Sequence, residues 1–189
     1  DGSRRRSPLR GPSLPTVDSV IVEPLELGEE GALPGPLLTE LTDLYASNRE
    51  FQQLSGDFPD PDDIRPEQVA ASLAEELAQP GAEVLLARSA GRVIGVSVTL
   101  AHHPDPDDPD PWIGLLMVHG RDHRMGFGRE LAEIVEKRFR ALGRTGVKLA
   151  VLDNNRRALL FWRSLGYEEV DRREDRGAGR DRVVLRKRL

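Results

Sequence analysis

The 189-residue sequence contains no cysteine, and aromatic residues make up only 5% of it. The lack of cysteine excludes disulfide-stapled folds, thiolate nucleophiles, cysteine-ligated zinc and iron–sulfur clusters. Long hydrophobic runs are lacking too, because no apolar stretch approaches the roughly 20 residues that an α-helix needs to cross a bilayer. The basic N-terminal residues are not followed by the apolar segment of a secretory signal. We therefore predict a cytoplasmic protein with no membrane partner.

The sequence also lacks the excess of basic residues that is typical of nucleic-acid-binding proteins. It has 27 Lys and Arg against 32 Asp and Glu, a formal net charge of −5. Binding to phosphates needs a dominant basic face, so we expect no nucleic-acid partner. Residues 1–18 are rich in Arg, Pro, Gly and Ser and show no hydrophobic periodicity. We predict a disordered basic tail over 1–18 and a single domain over 19–189.

Hydrophobic periodicity divides residues 19–189 into short strands and amphipathic helices. Strands are predicted at Ser19–Leu27, Glu83–Arg88, Arg92–Ala101, Trp112–Val118, Val147–Leu152, Glu168–Arg173 and Arg182–Arg188. Helices are predicted at Pro36–Glu50, Pro66–Gln79, Phe127–Leu142 and Asn155–Leu165. Elements in this order, without repeats, predict one layered α/β domain.

The segment Leu115–Glu130 carries the most specific pattern, an apolar strand followed by a polar turn and a glycine-rich helix start. Gly126 and Gly128 allow the backbone to approach a ligand closely because they have no Cβ. The unpaired N–H groups of a helix start favour an anion such as a pyrophosphate. Two alternatives stay open here, glycines that serve only the turn and a dinucleotide site. The dinucleotide fingerprint requires a third glycine where this sequence has Leu131.

Two motifs of this sequence stand in a specific order. The residues His123-Arg124-Met125-Gly126-Phe127-Gly128 match the pattern Gln/Arg-x-x-Gly-x-Gly/Ala. Downstream, Asn155 to Tyr167 follow the pattern Asn-x-x-Ala-x-x-Phe-Tyr-x-x-x-Gly-Phe. Together these motifs resemble those of the GCN5-related N-acetyltransferase (GNAT) superfamily, and the resemblance covers residues 19–189. It implies a single-domain α/β fold with a mixed central sheet of about seven strands flanked by about four helices.

The resemblance implies that acetyl-CoA is the co-substrate and that an amine attacks its thioester directly. In the family, the strand before the pyrophosphate loop leaves its neighbour, and its backbone N–H groups bind pantetheine and the carbonyl oxygen. The implied CoA-binding residues are Leu116, Met117, Val118, His123, Arg124, Met125, Gly126, Phe127, Gly128, Arg129, Asn155 and Trp162. Met117 is the implied catalytic residue of this strand, since backbone donation suits the charge that develops in the transition state.

Three residues depart from the family's pattern. Trp162 stands where the family commonly has a tyrosine near the CoA sulfur that is proposed to protonate the leaving thiolate. An indole N–H donates a hydrogen bond but supplies no proton near neutral pH, so Trp162 would wall or polarise the site. His123 replaces the usual Gln or Arg and still offers a hydrogen-bonding side chain. Tyr167, at the last position of the second motif, is expected in the core.

The sequence offers no obvious general base, because the strand Trp112–Val118 contains neither a carboxylate nor a histidine. His119 follows directly, and an ordinary histidine pKa of about 6.5 suits proton acceptance near neutral pH. Other candidates are His102, His103, Asp57, Glu50 and Tyr45. A relay through ordered water would need no dedicated base.

The acceptor is the least determined part of the prediction. We expect a primary amine of a small molecule or peptide, and two acidic runs, Asp57–Asp63 and Asp105–Asp110, favour a cationic one if they lie at the acceptor entrance. The spacing of the second run matches neither a zinc pair nor a calcium loop, so no metal is expected. A non-catalytic acyl-CoA-binding or sensing domain is the alternative, since the usual tyrosine and base are missing. A homodimer stays open.

Overall fold

The computed structural model describes residues 19–175 and 180–189, so the tail predicted over 1–18 lies outside the described residues. The strands are β1 (Ile21–Pro24), β2 (Ala82–Ser89), β3 (Arg92–Leu100), β4 (Trp112–Val118), β5 (Gly146–Leu152), β6 (Glu168–Asp175) and β7 (Arg180–Arg188). The helices are α1 (Gly35–Ser47), α2 (Arg49–Ser55), α3 (Pro66–Leu77), α4 (Phe127–Ala141) and α5 (Arg156–Ser164), with 3-10 turns at Glu29–Gly31 and Gly120–Asp122.

All seven strands join one mixed sheet in the order β1-β2-β3-β4-β5-β7-β6, which confirms the predicted architecture. Neighbouring strands are antiparallel except β4 and β5, which are parallel. Within the described chain, β4 pairs with β5 at Trp112↔Lys148 and Ile113↔Leu149 alone, whereas β5 pairs with β7 along its whole length. The two parallel strands therefore separate after Ile113, and a gap opens in the middle of the sheet.

Helices cover both faces of this sheet, and each buries one apolar stripe, as amphipathic spacing predicts. On one face, α4 and α5 contribute Leu131, Val135, Phe139, Leu159 and Trp162 to the core. On the other face, α1 and α3 contribute Leu41, Leu44, Val69 and Leu73. No helix in residues 19–175 and 180–189 is long and apolar enough to cross a membrane.

The helix predicted over Pro36–Glu50 is two helices in the structure, so residues 19–175 and 180–189 contain five α-helices where about four were predicted. α1 and α2 meet at Asn48, whose backbone is not helical (φ −97°, ψ 51°). The Asn48 side chain donates from Nδ2 to the carbonyl oxygens of Leu44 (2.9 Å) and Val118 (3.0 Å). Helical periodicity does not show this break, because Val118 lies 70 residues away in the chain.

The other predicted boundaries of helices and strands differ less from the observed ones. The strand predicted over Ser19–Leu27 is shorter, at Ile21–Pro24, and lies at a sheet edge, where a proline is tolerated. α2 ends at Ser55, and Gly56 caps it with φ 67°. The remaining helices and strands begin and end within two residues of their predicted positions.

A buried ion pair joins α4 to β7 in the core. The side chain of Glu136 is 2% exposed and accepts hydrogen bonds from Lys187 Nζ (2.8 Å) and from the Tyr167 hydroxyl (3.0 Å). Burial and the negative charge of Glu136 both raise the pKa of Tyr167, so its hydroxyl stays protonated and donates. Tyr167 therefore has the core position that the sequence predicted.

Candidate active site

The gap between β4 and β5 leaves backbone hydrogen-bonding groups on the open edge of β4. In an antiparallel pair, successive residues point their N–H and C=O groups alternately towards the partner strand and away from it. The His119 N–H donates to the Ile94 carbonyl oxygen near the start of β3 (2.8 Å), which fixes this alternation. The backbone groups of Leu116 and Val118 then point into the gap, whereas those of Met117 point to β3.

This alternation corrects the prediction that Met117 is the catalytic residue of the strand. Its N–H lies on the β3 side, opposite Val96, and is not available to a ligand in the gap. The N–H groups of Leu116 and Val118 take its place as candidate donors. The Met117 side chain instead forms part of the cleft floor, 5% exposed, with its sulfur 4.0 Å from Gln52 Nε2.

The carbonyl oxygen of Val118 marks the end of the open edge, because two side chains bind it. Asn48 Nδ2 donates to it at 3.0 Å and His123 Nε2 at 2.8 Å. A carbonyl oxygen only accepts, so His123 carries a proton on Nε2. The histidine at the first position of the glycine motif therefore holds the end of β4 and fixes the direction in which the chain leaves the strand.

The 3-10 turn Gly120–Asp122 after β4 is held against the end of α1. The Gly120 N–H donates to the Ser47 hydroxyl (2.9 Å), and a Cβ at this position would lie 2.6 Å from the Ser47 carbonyl oxygen. Only glycine fits so close an approach. Asp122 is buried and accepts two hydrogen bonds from the Arg92 guanidinium, at 2.8 and 3.0 Å. These bonds lower the pKa of Asp122, so its carboxylate stays charged.

The N-terminus of α4 lines the cleft and has the features of an anion site. Gly126, its N-cap, has φ 85° and open space where a Cβ would stand. The N–H groups of the first turn have no acceptor within a helix, and the helix dipole makes this end positive. Arg124 and Arg129 line the same cleft. Gly128 has a packing role, since a Cβ there would lie 3.3 Å from the Phe161 ring.

A cleft of about 720 Å³ runs from this helix start to the open edge of β4. The predicted residues that line it are Leu116, Met117, Val118, His123, Arg124, Gly126, Gly128, Arg129, Asn155 and Trp162. Two predicted residues do not line it, because Met125 lies exposed at the surface and Phe127 packs against the core. The opposite wall consists of residues 47–51 and Leu54 at the junction of α1 and α2, and of these residues Glu50 alone was predicted at the site.

A smaller cavity of about 200 Å³ lies between the separated strands. It is bounded by residues 113–116 of β4, by residues 149–152 of β5, by α2 with the loop after it, and by the start of β7. Both cavities are lined by Phe51, Leu116, Asn155, Ala158 and Trp162. The two cavities therefore meet beside the Leu116 backbone, where a group bound in one can reach a group bound in the other.

α5 places Asn155 and Trp162 at this meeting point. Asn155 Oδ1 accepts a hydrogen bond from the Ala158 N–H (3.1 Å), which caps the helix. The Trp162 side chain is 7% exposed, and its ring contacts Phe161 and Tyr167 edge to face, with centroids 5.0 Å apart in each case. These contacts fix the indole as a rigid wall of both cavities.

The predicted proton acceptors do not gather at this meeting point. Those that line neither cavity are His119, His102, His103 and Tyr45. His119 Nδ1 accepts from the Arg121 N–H (3.2 Å), and burial followed by the charge of Arg121 lowers its pKa. Burial and nearby carboxylates raise the pKa of Tyr45 far above neutrality. Glu50 lines the cleft and Asp57 the smaller cavity.

The acidic run Asp105–Asp110 does not lie at an acceptor entrance, which corrects that part of the prediction. Asp110 accepts from Arg186 Nε (2.8 Å), and Asp108 accepts from Lys148 Nζ (2.9 Å), so the run binds β5 and β7. Burial acts to raise the pKa of Asp108, but hydrogen bonds, first that from Lys148, outweigh it and lower the pKa. In the described ranges, no three His, Asp or Glu side chains group closely enough to hold a metal ion.

Sequence reasoning missed Asn48 and Phe51 on the α2 side and Arg182 at the start of β7. A polar residue inside an apolar helical stretch is a signal for Asn48, and Phe51 lies two turns beyond Leu44. Arg182 gives no signal in the sequence, because charged residues are common at strand ends. These residues were missed because their importance depends on which elements meet across the gap.

This chain is similar to known proteins in sequence pattern and in fold. A family model described as the acetyltransferase (GNAT) family matches residues 41–167. The fold is similar to an acetyltransferase from Thermus thermophilus, at 18% identity over 92% of this chain and 99% of that one (TM-score 0.68). It is also similar to the ribosomal-protein-S18-alanine N-acetyltransferase of Escherichia coli, at 15% identity over 90% and 94% (TM-score 0.62).

One similar structure was solved with a ligand. A GNAT family acetyltransferase from Elizabethkingia anophelis has acetyl-CoA bound, and it shares 16% identity over 90% of this chain and 98% of that one (TM-score 0.59). A comparison with curated proteins gives no match. The family model covers most of the described residues, and it includes both motifs and the open edge of β4. The chain therefore belongs to the acetyltransferase (GNAT) family, and acetyl-CoA is its co-substrate.

Proposed function

We propose that this acetyltransferase transfers the acetyl group of acetyl-CoA to the nitrogen of a small primary amine, and that residues 19–189 act as one catalytic domain. The observation that carries the proposal is the meeting of two cavities beside an open backbone edge. The larger cavity has the size of a cofactor site, since such sites measure about 300–1,000 Å³. The smaller one is left for the acceptor.

The charges of the larger cleft suit the phosphates of CoA. Arg124 and Arg129 lie beside the N-terminus of α4, where N–H groups and the helix dipole favour a pyrophosphate. Arg49 and Arg157 line the same cleft from α2 and α5. With the phosphates at α4, the pantetheine arm would follow the open edge of β4 and bring the thioester to the meeting point of the cavities.

Backbone amides would stabilise the transition state. Attack on the thioester carbon places negative charge on the carbonyl oxygen, and a fixed N–H donor in a water-poor site stabilises that charge. The N–H groups of Leu116 and Val118 point into the gap, and Leu116 lines both cavities. We assign the donor role to Leu116 before Val118. The amine must reach the carbonyl carbon from the smaller cavity, and Leu116 lines both cavities whereas Val118 lines only the cleft.

The reaction transfers protons that the protein must accommodate. The cationic amine first loses one proton, its nitrogen forms a bond to the acetyl carbon, and the C–S bond then breaks. The nitrogen loses a second proton and the CoA thiolate gains one, so one proton is released overall. Trp162 cannot supply the proton to sulfur, because an indole N–H does not ionise in this range. A thiol pKa of about 8.5 lets the thiolate leave and take its proton from water.

No titratable side chain among the described residues lines both cavities. We therefore propose that water carries the amine proton away past Asp57, which lines the smaller cavity, and Glu50, which lines the cleft. His119 has no part in this route, because it lies outside both cavities and its Nδ1 already accepts the Arg121 N–H. The expected pH profile rises with deprotonation of the amine and shows no histidine inflection.

Thiol release from acetyl-CoA tests the function directly. The chain contains no cysteine, so a thiol reagent reports CoA without background from the protein. We expect release that depends on a primary amine, together with an acetylated amine product. Trp162→Phe should keep most of kcat and the same pH profile, because the ring remains and no proton donor is lost. If acetyl-CoA raises the melting temperature but no amine gives thiol release, the chain is a binding or sensing domain instead.

A further inference from the structure

The smaller cavity suits a small acceptor group. Its volume is about 200 Å³. Cavities for drug-sized ligands begin at about 300 Å³. A larger molecule such as an aminoglycoside would place only part of itself inside and extend through the mouth.

The smaller cavity carries one charge of each sign. Of the described residues that line it, Asp57 and Arg182 are the charged ones. Asp57 belongs to the loop after α2, whereas Arg182 lies near the start of β7 and pairs with Leu152 at the end of β5. The two charges thus come from different walls, one from the helical side and one from the sheet. Both side chains are exposed, which places them at the mouth.

Apart from Asp57 and Arg182, the side chains that line the smaller cavity carry no charge. They include the buried Ile113, Leu149 and Val151 as well as the polar Ser55 and Asn155. Trp162 lines the cavity where it meets the cleft. An acceptor with a third charged group would find no opposite charge there and would lose hydration, at a cost in free energy.

Resting on the proposed transfer to an amine, we propose that the acceptor is a small zwitterion, an α-amino acid with an uncharged side chain. Asp57 attracts the ammonium form that predominates in water. Arg182 binds the carboxylate, for which a planar guanidinium with five donors is well suited even when it also contacts other parts of the protein. The uncharged side chain lies against the uncharged part of the lining.

The same arrangement disfavours a polyamine. A diamine that enters with one ammonium group at Asp57 brings its second positive charge into a cavity whose other charged side chain is Arg182, and like charges repel. A simple monoamine avoids the repulsion but leaves Arg182 without the carboxylate. Asp57 by itself would favour a cationic amine. Asp57 and Arg182 together favour a zwitterion.

A matched set of amines tests this proposal. L-Valine, L-valine amide, isobutylamine and putrescine share a primary amine but differ in the carboxylate and in the second charge. We expect kcat/KM from thiol release to be at least about tenfold higher for L-valine than for each of the others, because a charge-assisted hydrogen bond is lost in each. Arg182→Gln should raise KM for L-valine by about the same factor and remove most of the preference.

Arg188→Gln is the control, since Arg188 lies at the opposite end of β7 and lines neither cavity. It should leave the preference unchanged, and all variants should keep the stabilisation by acetyl-CoA if they are folded. An equal or higher rate with isobutylamine or putrescine, or an unchanged preference in Arg182→Gln, would overturn the proposal. If the enzyme acetylates peptides or other amines but none of this set, the proposal of a zwitterionic acceptor is wrong and the proposed N-acetyl transfer stands. Release of thiol with no amine at all overturns the N-acetyl transfer itself.

Discussion

The two ends of β4 are held in opposite ways, although the strand is apolar throughout. At its start, β4 pairs with β5, and the loop before it binds Lys148 and Arg186 through Asp108 and Asp110. At its end, β4 has no pairing with β5 in the described chain, and side chains bind a single carbonyl oxygen there. Charge pairs therefore hold the start of β4 against β5 and β7, whereas the end of β4 is open to a ligand.

The open edge would be a liability in most proteins. Unpaired N–H and C=O groups of a strand edge offer a template for another strand. Here the edge lies inside a cleft, with α2 opposite and α5 alongside, so another sheet cannot reach it. An extended ligand with amide groups, such as a pantetheine arm, can replace the missing strand.

The largest effect is expected at the closed end. Asp110→Ala removes the partner of Arg186 and leaves Lys148 with Asp108 alone, and breaking a buried ion pair from one side costs about 3 kcal/mol. Asp107→Ala is the control, because this aspartate is exposed in the same loop. Urea unfolding at neutral pH measures both. Equal stability of the two variants would mean that the charge pairs do not hold the closed end.

A comparable effect on ligand binding is expected at the open end. Acetyl-CoA at a hundred times its Kd stabilises the native state by about 2.7 kcal/mol. Gly126→Val should abolish this stabilisation, because the new side chain projects into the space at the start of α4. Gly143→Val is the matched control, since Gly143 has a similar φ (76° against 85°) and open surroundings outside the cleft. Loss of the ligand response in both variants would assign the effect to backbone strain.

A pH-dependent effect is expected at Asp122, in the 3-10 turn that follows the open end of β4. Arg92 lowers the pKa of Asp122 in the folded state, so its contribution is complete above the unfolded pKa of about 3.9. That contribution is lost as the pH falls through the lower, folded pKa. Asp122→Ala should therefore cost about 1.5 kcal/mol at pH 7 and progressively less as the pH falls below about 4. A difference in unfolding free energy that does not change with pH would contradict the ion pair.

The smallest effect is expected at His123. His123→Leu removes one of the two hydrogen bonds to the Val118 carbonyl, a loss of about 1 kcal/mol. We expect kcat/KM for acetyl-CoA to fall about fivefold, whereas His123→Gln, which keeps a donor, should recover most of the loss. Steady-state kinetics with both variants checks this. If the Gln variant is as poor as the Leu variant, the imidazole has a role beyond this hydrogen bond.

Much of the fold could be predicted because most helices and strands have a recognisable pattern in their own stretch of sequence. β4 was predicted at its observed bounds because every residue from Trp112 to Val118 is apolar or glycine, and α4 because its apolar stripe repeats with helical spacing. The glycine motif at the start of α4 could be predicted for the same reason, since its chemistry depends on consecutive residues.

The rest depends on partners that are distant in the chain. The break at Asn48 is stabilised through Val118, and the acidic loop binds Lys148 and Arg186. Which amides of β4 face the gap depends on the register with β3, and a shift of one residue exchanges them. For this reason the strand could be predicted correctly while the donor within it was assigned to Met117 instead of Leu116 and Val118.

The contact between Gly120 and Ser47 has a consequence for protein engineering. The turn after β4 and the end of α1 are joined by a hydrogen bond and by backbone contact, so they must be kept together when segments are exchanged between relatives. A chimera intended to accept a new amine can replace the chain from Ser55 to the start of α3, which includes Asp57. The crossover points then fall outside the joint, and residues 47–51 and Leu54 of the coenzyme cleft are kept.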